Sequence, residues 1–110
     1  MDRIPESIQE IIKDYIMNLS KQIPIARAIL FGSYAKGTTH KYSDVHIAIF
    51  SDYFKDMNRA DGIYFLLISA LDYDVDIEPQ PFTMDEYEDP VGFVTEILKT
   101  GIELELSQAS

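Results

Sequence analysis

The chain has 110 residues and a formal net charge of −10, with 19 acidic residues against 9 basic ones. This length suits one domain with one hydrophobic core. The charge argues against unaided binding of duplex DNA or RNA, which relies on lysine and arginine to neutralise phosphates. The absence of cysteine excludes disulfides and cysteine-ligated metal centres. No apolar run approaches the roughly 18 residues of a membrane span and the N-terminus does not fit a signal peptide, so we expect a cytoplasmic protein with no membrane contact.

The periodicity of apolar residues predicts alternating helices and strands. In chain order we expect an amphipathic helix over 6–20, a buried strand over 25–31, a short helix from Ser33, a second strand over 44–50, a buried helix over 59–71, a third strand within 73–82 that ends near Pro79 and Pro81, a final helix after Pro90 and a short edge strand over 102–106. This order predicts an α/β (α+β) fold, a small mixed sheet with helices on one face. We expect one domain over residues 1–110, with a frayed tail at 107–110.

The second strand carries polar residues on one face. Val45 points to the apolar face, and Asp44 and His46 point to the opposite one because side chains alternate along a strand. Asp76 lies between aliphatic residues of the third strand. If the two strands are neighbours, Asp44, His46 and Asp76 converge, and acids placed in this way suit Mg²⁺. A solvated face without a cation is the alternative for each acid taken alone.

A Gly-Ser pair follows the first strand. Gly32 permits a tight turn and a close approach of backbone N–H groups to a phosphate, and Ser33 adds a hydroxyl at the start of a short helix. Lys36 in the same segment adds positive charge. Most Gly-Ser pairs are merely turns, so this pair alone is weak evidence for phosphate binding.

The spacing between these two features is more specific. Gly32-Ser33 is followed by ten residues and then by Asp44-Val45-His46 at the start of an apolar strand. This block resembles the signature of minimal nucleotidyltransferases of the DNA polymerase beta superfamily, in which Gly-Ser, a ten-residue spacer and Asp-x-Asp on a strand are joined by a third acid from a later strand. Asp76 matches that third acid.

The resemblance implies a nucleotidyltransferase fold and a chemistry. Such a protein transfers a nucleoside monophosphate, here most simply AMP from ATP, to an acceptor hydroxyl with Mg²⁺ or Mn²⁺. By position, Gly32, Ser33 and Lys36 would hold the triphosphate, Asp44 would bridge the metal ions, and Asp76 would bind metal and help deprotonate the acceptor. The resemblance further implies a helical HEPN-domain protein as partner, an antitoxin role and assembly into homo- or hetero-oligomers.

His46 departs from the signature, since it occupies the place of the second acid. Imidazole offers one lone pair and prefers softer ions than Mg²⁺. The site could work through Asp44 and Asp76, helped by Asp74 or Glu78, although these two lie about 7 Å from Asp76 along an extended strand. It could instead take Mn²⁺ or Zn²⁺. It could also have lost catalysis and serve as a binding module, with His46 hydrogen-bonded to a neighbouring acid.

Overall fold

The computed structural model of the chain describes residues 4–39 and 44–106, and the tail predicted to fray, 107–110, lies outside these ranges. Helices and strands follow the predicted order, with a separate short helix before the last one. The elements are α1 (Glu6–Ser20), β1 (Arg27–Phe31), α2 (Ser33–Lys36), β2 (Val45–Phe50), a 3-10 turn (Asp52–Phe54), α3 (Arg59–Ala70), β3 (Ile77–Phe82), α4 (Met84–Glu88), α5 (Phe93–Thr100) and β4 (Ile102–Glu103). Over the described ranges, no helix is long and apolar enough to cross a membrane.

The four strands form one mixed sheet in the order β3-β2-β1-β4. Strand β1 is antiparallel to both β2 and β4, whereas β2 and β3 are parallel neighbours. The mixed sheet of the predicted fold is therefore confirmed. In this register His46 lies opposite Phe31 on β1 and opposite Glu78 on β3.

Both faces of the sheet carry a hydrophobic cluster. On one face Val45, Ile47 and Ile49 pack with residues of α1 and α3. On the other face Ala48 and Phe50 pack with residues of α4 and α5. The expectation of helices on one face is thus incomplete, because β2 is apolar on both sides beyond His46. At the other end of this face Asp44 and His46 are only half-buried, and Glu78 beside them is exposed.

Strand β3 differs from its predicted bounds. It begins at Ile77 and continues through both prolines to Phe82, so Asp74 and Asp76 precede the strand. Proline lacks the N–H that a central strand needs. Among the described residues β3 is an edge strand paired with β2 alone, and an edge strand tolerates proline. The alternation of apolar and acidic residues in the sequence therefore begins before the strand does. Glu78 is the acidic residue that lies within β3.

Helix α3 is only half buried, which corrects the prediction of a buried helix. Gly62, Leu66 and Ala70 face the sheet, while Tyr64 and Leu71 on the outer side are 68% and 74% exposed. The helix is apolar on both sides, but the sheet covers one of them. Apolar content alone does not reveal which side of a helix has a neighbour.

Candidate active site

A glycine turn joins β1 to α2 and lies against β2. Gly32 has φ +80°, a conformation that side chains disfavour, and its carbonyl oxygen accepts a hydrogen bond of 3.1 Å from the N–H of Lys36. A Cβ at Gly32 would lie 2.9 Å from Cδ2 of His46. Two features therefore favour glycine at this position: the positive φ and the close approach of the imidazole.

The short helix α2 buries one side in the protein and leaves the other side accessible to solvent. Tyr34 and Ala35 are buried, whereas Ser33 is half-buried and Lys36 is exposed. Ser33 and Lys36, two of the three residues predicted to bind phosphate, thus have access to solvent. Their role, like that of Gly32, stays a prediction.

Three ligand-type side chains meet at the start of β2. One ligating atom from each of Asp44, His46 and Glu78 lies within 4.8 Å of the other two. The Nδ1 atom of His46 is 4.0 Å from Oε1 of Glu78. Parallel pairing produces this group, because it sets His46 and Glu78 side by side on one face, with Asp44 just before β2.

The electrostatics of this group centre on Glu78. A hydrogen bond shared with the Asp44 carboxyl raises the pKa of Glu78, as do partial burial and the negative charge of Asp44, while His46 lowers it. Asp76 raises the pKa of Glu78 further. Two carboxyl groups in contact resist ionising together. A cation between them would relieve that repulsion.

Asp76 lies beside this group rather than in it. It is exposed and directly precedes β3, and its carbonyl oxygen accepts a hydrogen bond of 2.8 Å from the N–H of Val45. Within residues 4–39 and 44–106, the cluster suited to a metal is Asp44, His46 and Glu78. The ligand and base roles predicted for Asp76 stay predictions, and Asp74, also exposed, lies further from the strand.

Glu78 is the residue whose place sequence reasoning misjudged. The prediction considers only the distance along an extended strand, which separates Glu78 from Asp76 by about 7 Å. The relevant neighbour is instead His46 on the adjacent strand, directly across the parallel ladder. A signal was present: an acid two residues after Asp76 mirrors a histidine two residues after Asp44.

Aromatic side chains form one wall beside the group. The ring of Phe31 lies 5.3 Å from that of His46, centroid to centroid, and the ring of Phe93 lies 5.5 Å from Phe31. Phe31 is buried and Phe93, at the start of α5, is exposed. The imidazole therefore contacts Phe31 and approaches Gly32, and its Nδ1 lies 4.0 Å from Oε1 of Glu78.

The donor set fits a divalent cation. Two carboxylates and one imidazole are a mixed oxygen and nitrogen set, which suits Mn²⁺ or Zn²⁺ better than Mg²⁺. Lys41 and Ser43, which precede Asp44 in the sequence, lie outside the described residues. The chemistry of the described donors thus favours a metal that accepts nitrogen.

A glycine-serine turn and a metal-type group at one end of a mixed sheet are the features expected of a nucleotidyltransferase, and comparison with protein families agrees. The chain belongs to the nucleotidyltransferase domain family, whose model matches residues 10–102. By this resemblance it is a transferase. A comparison with curated proteins gave no significant match.

Solved structures with the same fold include proteins of two kinds. A candidate nucleotidyltransferase from Sulfolobus solfataricus is 19% identical, with a TM-score of 0.69 over 92% of this chain and 82% of that one. A toxin-antitoxin solved with AMP-PNP is 29% identical, with a TM-score of 0.52 over 87% of this chain and 74% of that one. A mutant of the MntA-HpeT toxin-antitoxin is 24% identical, with a TM-score of 0.53 over the same shares. These similarities are consistent with a minimal nucleotidyltransferase domain.

Proposed function

We propose that this protein transfers a nucleoside monophosphate from a nucleoside triphosphate, with ATP as the simplest choice, to a hydroxyl group of a partner protein. The observation that carries the proposal is the group formed by Asp44, His46 and Glu78 within 4.8 Å, next to the Gly32 turn. The similarity to a toxin-antitoxin solved with AMP-PNP supports both the nucleotide and the protein partner. The sequence resemblance adds that this partner is a HEPN-type protein and the role that of an antitoxin.

The reaction forms one bond and breaks one. The acceptor oxygen bonds to the α-phosphorus, the bond from that phosphorus to the oxygen bridging to the β-phosphate breaks, and pyrophosphate leaves. Asp76, exposed beside the group, accepts the proton of the hydroxyl. Gly32 and Ser33 hold the phosphates through backbone N–H groups and the hydroxyl. A bound divalent cation supplies neutralisation of phosphate charge and acidification of the acceptor hydroxyl.

Asp44, His46 and Glu78 hold that cation, and their donor types favour Mn²⁺ over Mg²⁺. Glu78 takes over the charge that the family pattern places on the second acid. His46 supplies a nitrogen donor and positions the glycine turn by contact. This arrangement reconciles the histidine with a working site.

The first prediction concerns the metal. Glu78→Gln should weaken Mn²⁺ binding by roughly tenfold or more, since even indirect partners of metal ligands contribute factors of that size. Calorimetric titration of Mn²⁺ measures this effect.

Asp76→Asn should keep Mn²⁺ binding but lose transfer of label from α-labelled ATP to the copurified partner. Glu88→Gln, an exposed change on α4, is the control and should alter neither quantity. Unchanged Mn²⁺ affinity in Glu78→Gln would refute the proposed ligand set.

The second prediction concerns His46. His46→Asp should raise transfer with Mg²⁺ relative to transfer with Mn²⁺, because a third carboxylate suits the harder ion. Without metal the same change should lower the free energy of unfolding, since it adds a negative charge beside Asp44 and Glu78. Label transfer and urea unfolding measure the two effects. Equal Mg²⁺-dependent rates in wild type and variant would contradict the first expectation.

A contact-only antitoxin is the alternative, favoured by the loss of the second acid at His46. It predicts that neither wild type nor His46→Asp transfers label to any acceptor with either metal. The partner would then be bound without carrying added nucleotide, which mass spectrometry of the copurified complex detects.

A further inference from the structure

The outer side of α3 presents a row of exposed apolar side chains. This row, the α3 stripe, consists of Tyr64, Leu67, Ile68 and Leu71. Their spacing of three and four residues aligns them on one side of the helix, over roughly 10 Å from the first to the last. Contiguous exposed apolar surface of this kind marks an interaction site more often than scattered single residues do.

The α3 stripe is remote from the candidate active site. Leu66 and Ala70, on the inner side of α3, pack in the cluster that contains Val45 and Ile47. His46 and Glu78 point from the opposite face of the sheet, since side chains alternate along β2 and β3. A partner on the stripe therefore leaves the nucleotide site accessible.

Acidic residues stand at both ends of the α3 stripe. Asp61 lies in the first turn of α3, Asp72 follows its last turn, and both are exposed. The basic residue of this helix, Arg59, is engaged elsewhere: it donates a hydrogen bond of 2.8 Å to the Pro81 carbonyl, another to the Gln80 side chain, and lies over the Phe82 ring. The stripe thus combines an apolar centre with a negative rim.

We propose that the α3 stripe docks an amphipathic helix of a protein partner whose apolar side chains are flanked by lysine or arginine. An apolar row at helical spacing accepts the matching row of another helix, and the acidic ends of the stripe complement a basic rim. The proposal goes beyond nucleotide transfer and does not depend on it, because it uses none of the residues of the active site.

Charge argues against two other occupants. A second copy of this chain would carry the same acids and a net charge of −10 to the interface, and like charges brought together there are costly. An anionic membrane surface attracts basic segments and repels an acidic rim. Both occupants remain outcomes of the test.

The test uses two synthetic helical peptides of 18 residues as probes. Both carry leucine on one side, with lysine on the other side in the first peptide and glutamate in the second. The lysine peptide should bind the full chain, measured by fluorescence anisotropy, and the glutamate peptide should not. Equal binding of both peptides, or of neither, would overturn the proposal.

Two variants locate the binding. Leu71→Ser should weaken binding of the lysine peptide by roughly tenfold, the size expected for an anchor residue. Val91→Ser, with the same exposure of 74% at a place away from the stripe, should change it less than twofold. Both changes lie on the surface, and thermal unfolding checks that both variants are folded. Equal effects of the two variants on binding of the lysine peptide would refute the α3 stripe as the binding site.

Charge and competing occupants complete the test. Asp61→Asn combined with Asp72→Asn should weaken binding of the lysine peptide and reduce its dependence on salt, whereas Glu88→Gln on α4 should do neither. Sedimentation that shows a dimer broken by Leu71→Ser, or binding to phosphatidylserine vesicles, would overturn the proposal in favour of a second copy or a membrane. Peptide binding with no label transfer would count against the proposed reaction alone.

Discussion

At the scale of single residues, Gly32 and His46 form one unit. The glycine has a positive φ that residues with a side chain rarely adopt, and a Cβ there would lie 2.9 Å from Cδ2 of the imidazole. The ring of Phe31 also packs against the imidazole, 5.3 Å away from centroid to centroid. His46 is thus accommodated by its neighbours as well as exposed to a ligand.

This contact predicts the effect of Gly32→Ala. The change should lower the free energy of unfolding by about 3 kcal/mol, from backbone strain together with the clash against His46. In a His46→Ala background the same change should cost about 1 kcal/mol, since only the strain remains. Urea unfolding of the four proteins gives both values.

Gly92→Ala is the matched control for this experiment. Gly92 also has a positive φ, +56°, but a Cβ there would meet no atom within 4 Å. Gly92→Ala should lower the free energy of unfolding by about 1 kcal/mol, with or without His46→Ala. If Gly32→Ala lowers the free energy of unfolding by the same amount with and without His46→Ala, the contact between Gly32 and His46 does not affect stability.

At the scale of elements, α4 is a helix of five residues that depends on its first turn. The N–H of Glu86 donates to Oγ1 of Thr83 at 3.3 Å, and the N–H of Thr83 donates to Oε1 of Glu86 at 2.9 Å. This reciprocal pair is a capping box, in which two N–H groups at the start of the helix are satisfied. The helix carries Tyr87, whose ring packs against Phe50, so the cap supports the second core cluster.

Thr83→Ala should therefore lower the free energy of unfolding by about 1 kcal/mol, the usual cost of losing a capping side chain. Thr95→Ala, at an exposed position within α5, is the control and should be neutral or slightly stabilising because alanine favours helix. Chemical unfolding of the two variants side by side distinguishes them. A neutral Thr83→Ala would mean that α4 contributes little to the folded state.

At the scale of the whole molecule, a hydrogen-bonded junction connects α1 to the segment between α3 and β3. The hydroxyl of Tyr73 donates to Asp14 at 2.6 Å and accepts from Asn18 at 2.9 Å. Partial burial, and then the bond to the Asp14 carboxylate, raise the pKa of Tyr73 from 10.0 to about 12, although the bond from Asn18 acts in the opposite direction. Tyr15 packs edge-on against the Tyr73 ring, and burial raises its pKa as well.

These raised pKa values predict a loss of stability in alkali. The folded protein holds the Tyr73 proton more tightly than the unfolded chain does. The contribution of this proton to the free energy of unfolding is therefore complete below pH 10 and disappears as pH rises towards 12. Tyr73→Phe should lower the free energy of unfolding by about 1 kcal/mol at pH 8 and make its decline above pH 10 shallower.

Urea unfolding between pH 8 and pH 11.5 measures this prediction. Tyr64→Phe, which removes an exposed hydroxyl on α3, is the matched control and should leave both the stability and its pH dependence as in wild type. Parallel pH profiles for wild type and Tyr73→Phe would contradict the role of the junction.

The sequence by itself determined the order of the elements, the mixed sheet and the family, because apolar spacing and the interval between Gly32-Ser33 and Asp44 are local features of the chain. Only the tertiary structure decided which residues stand together. The parallel pairing of β2 with β3 brought Glu78 to His46 and left Asp76 beside the group, and the sheet covered one side of α3 and exposed the other. Contacts across strands depend on register, which a pattern along one strand does not contain.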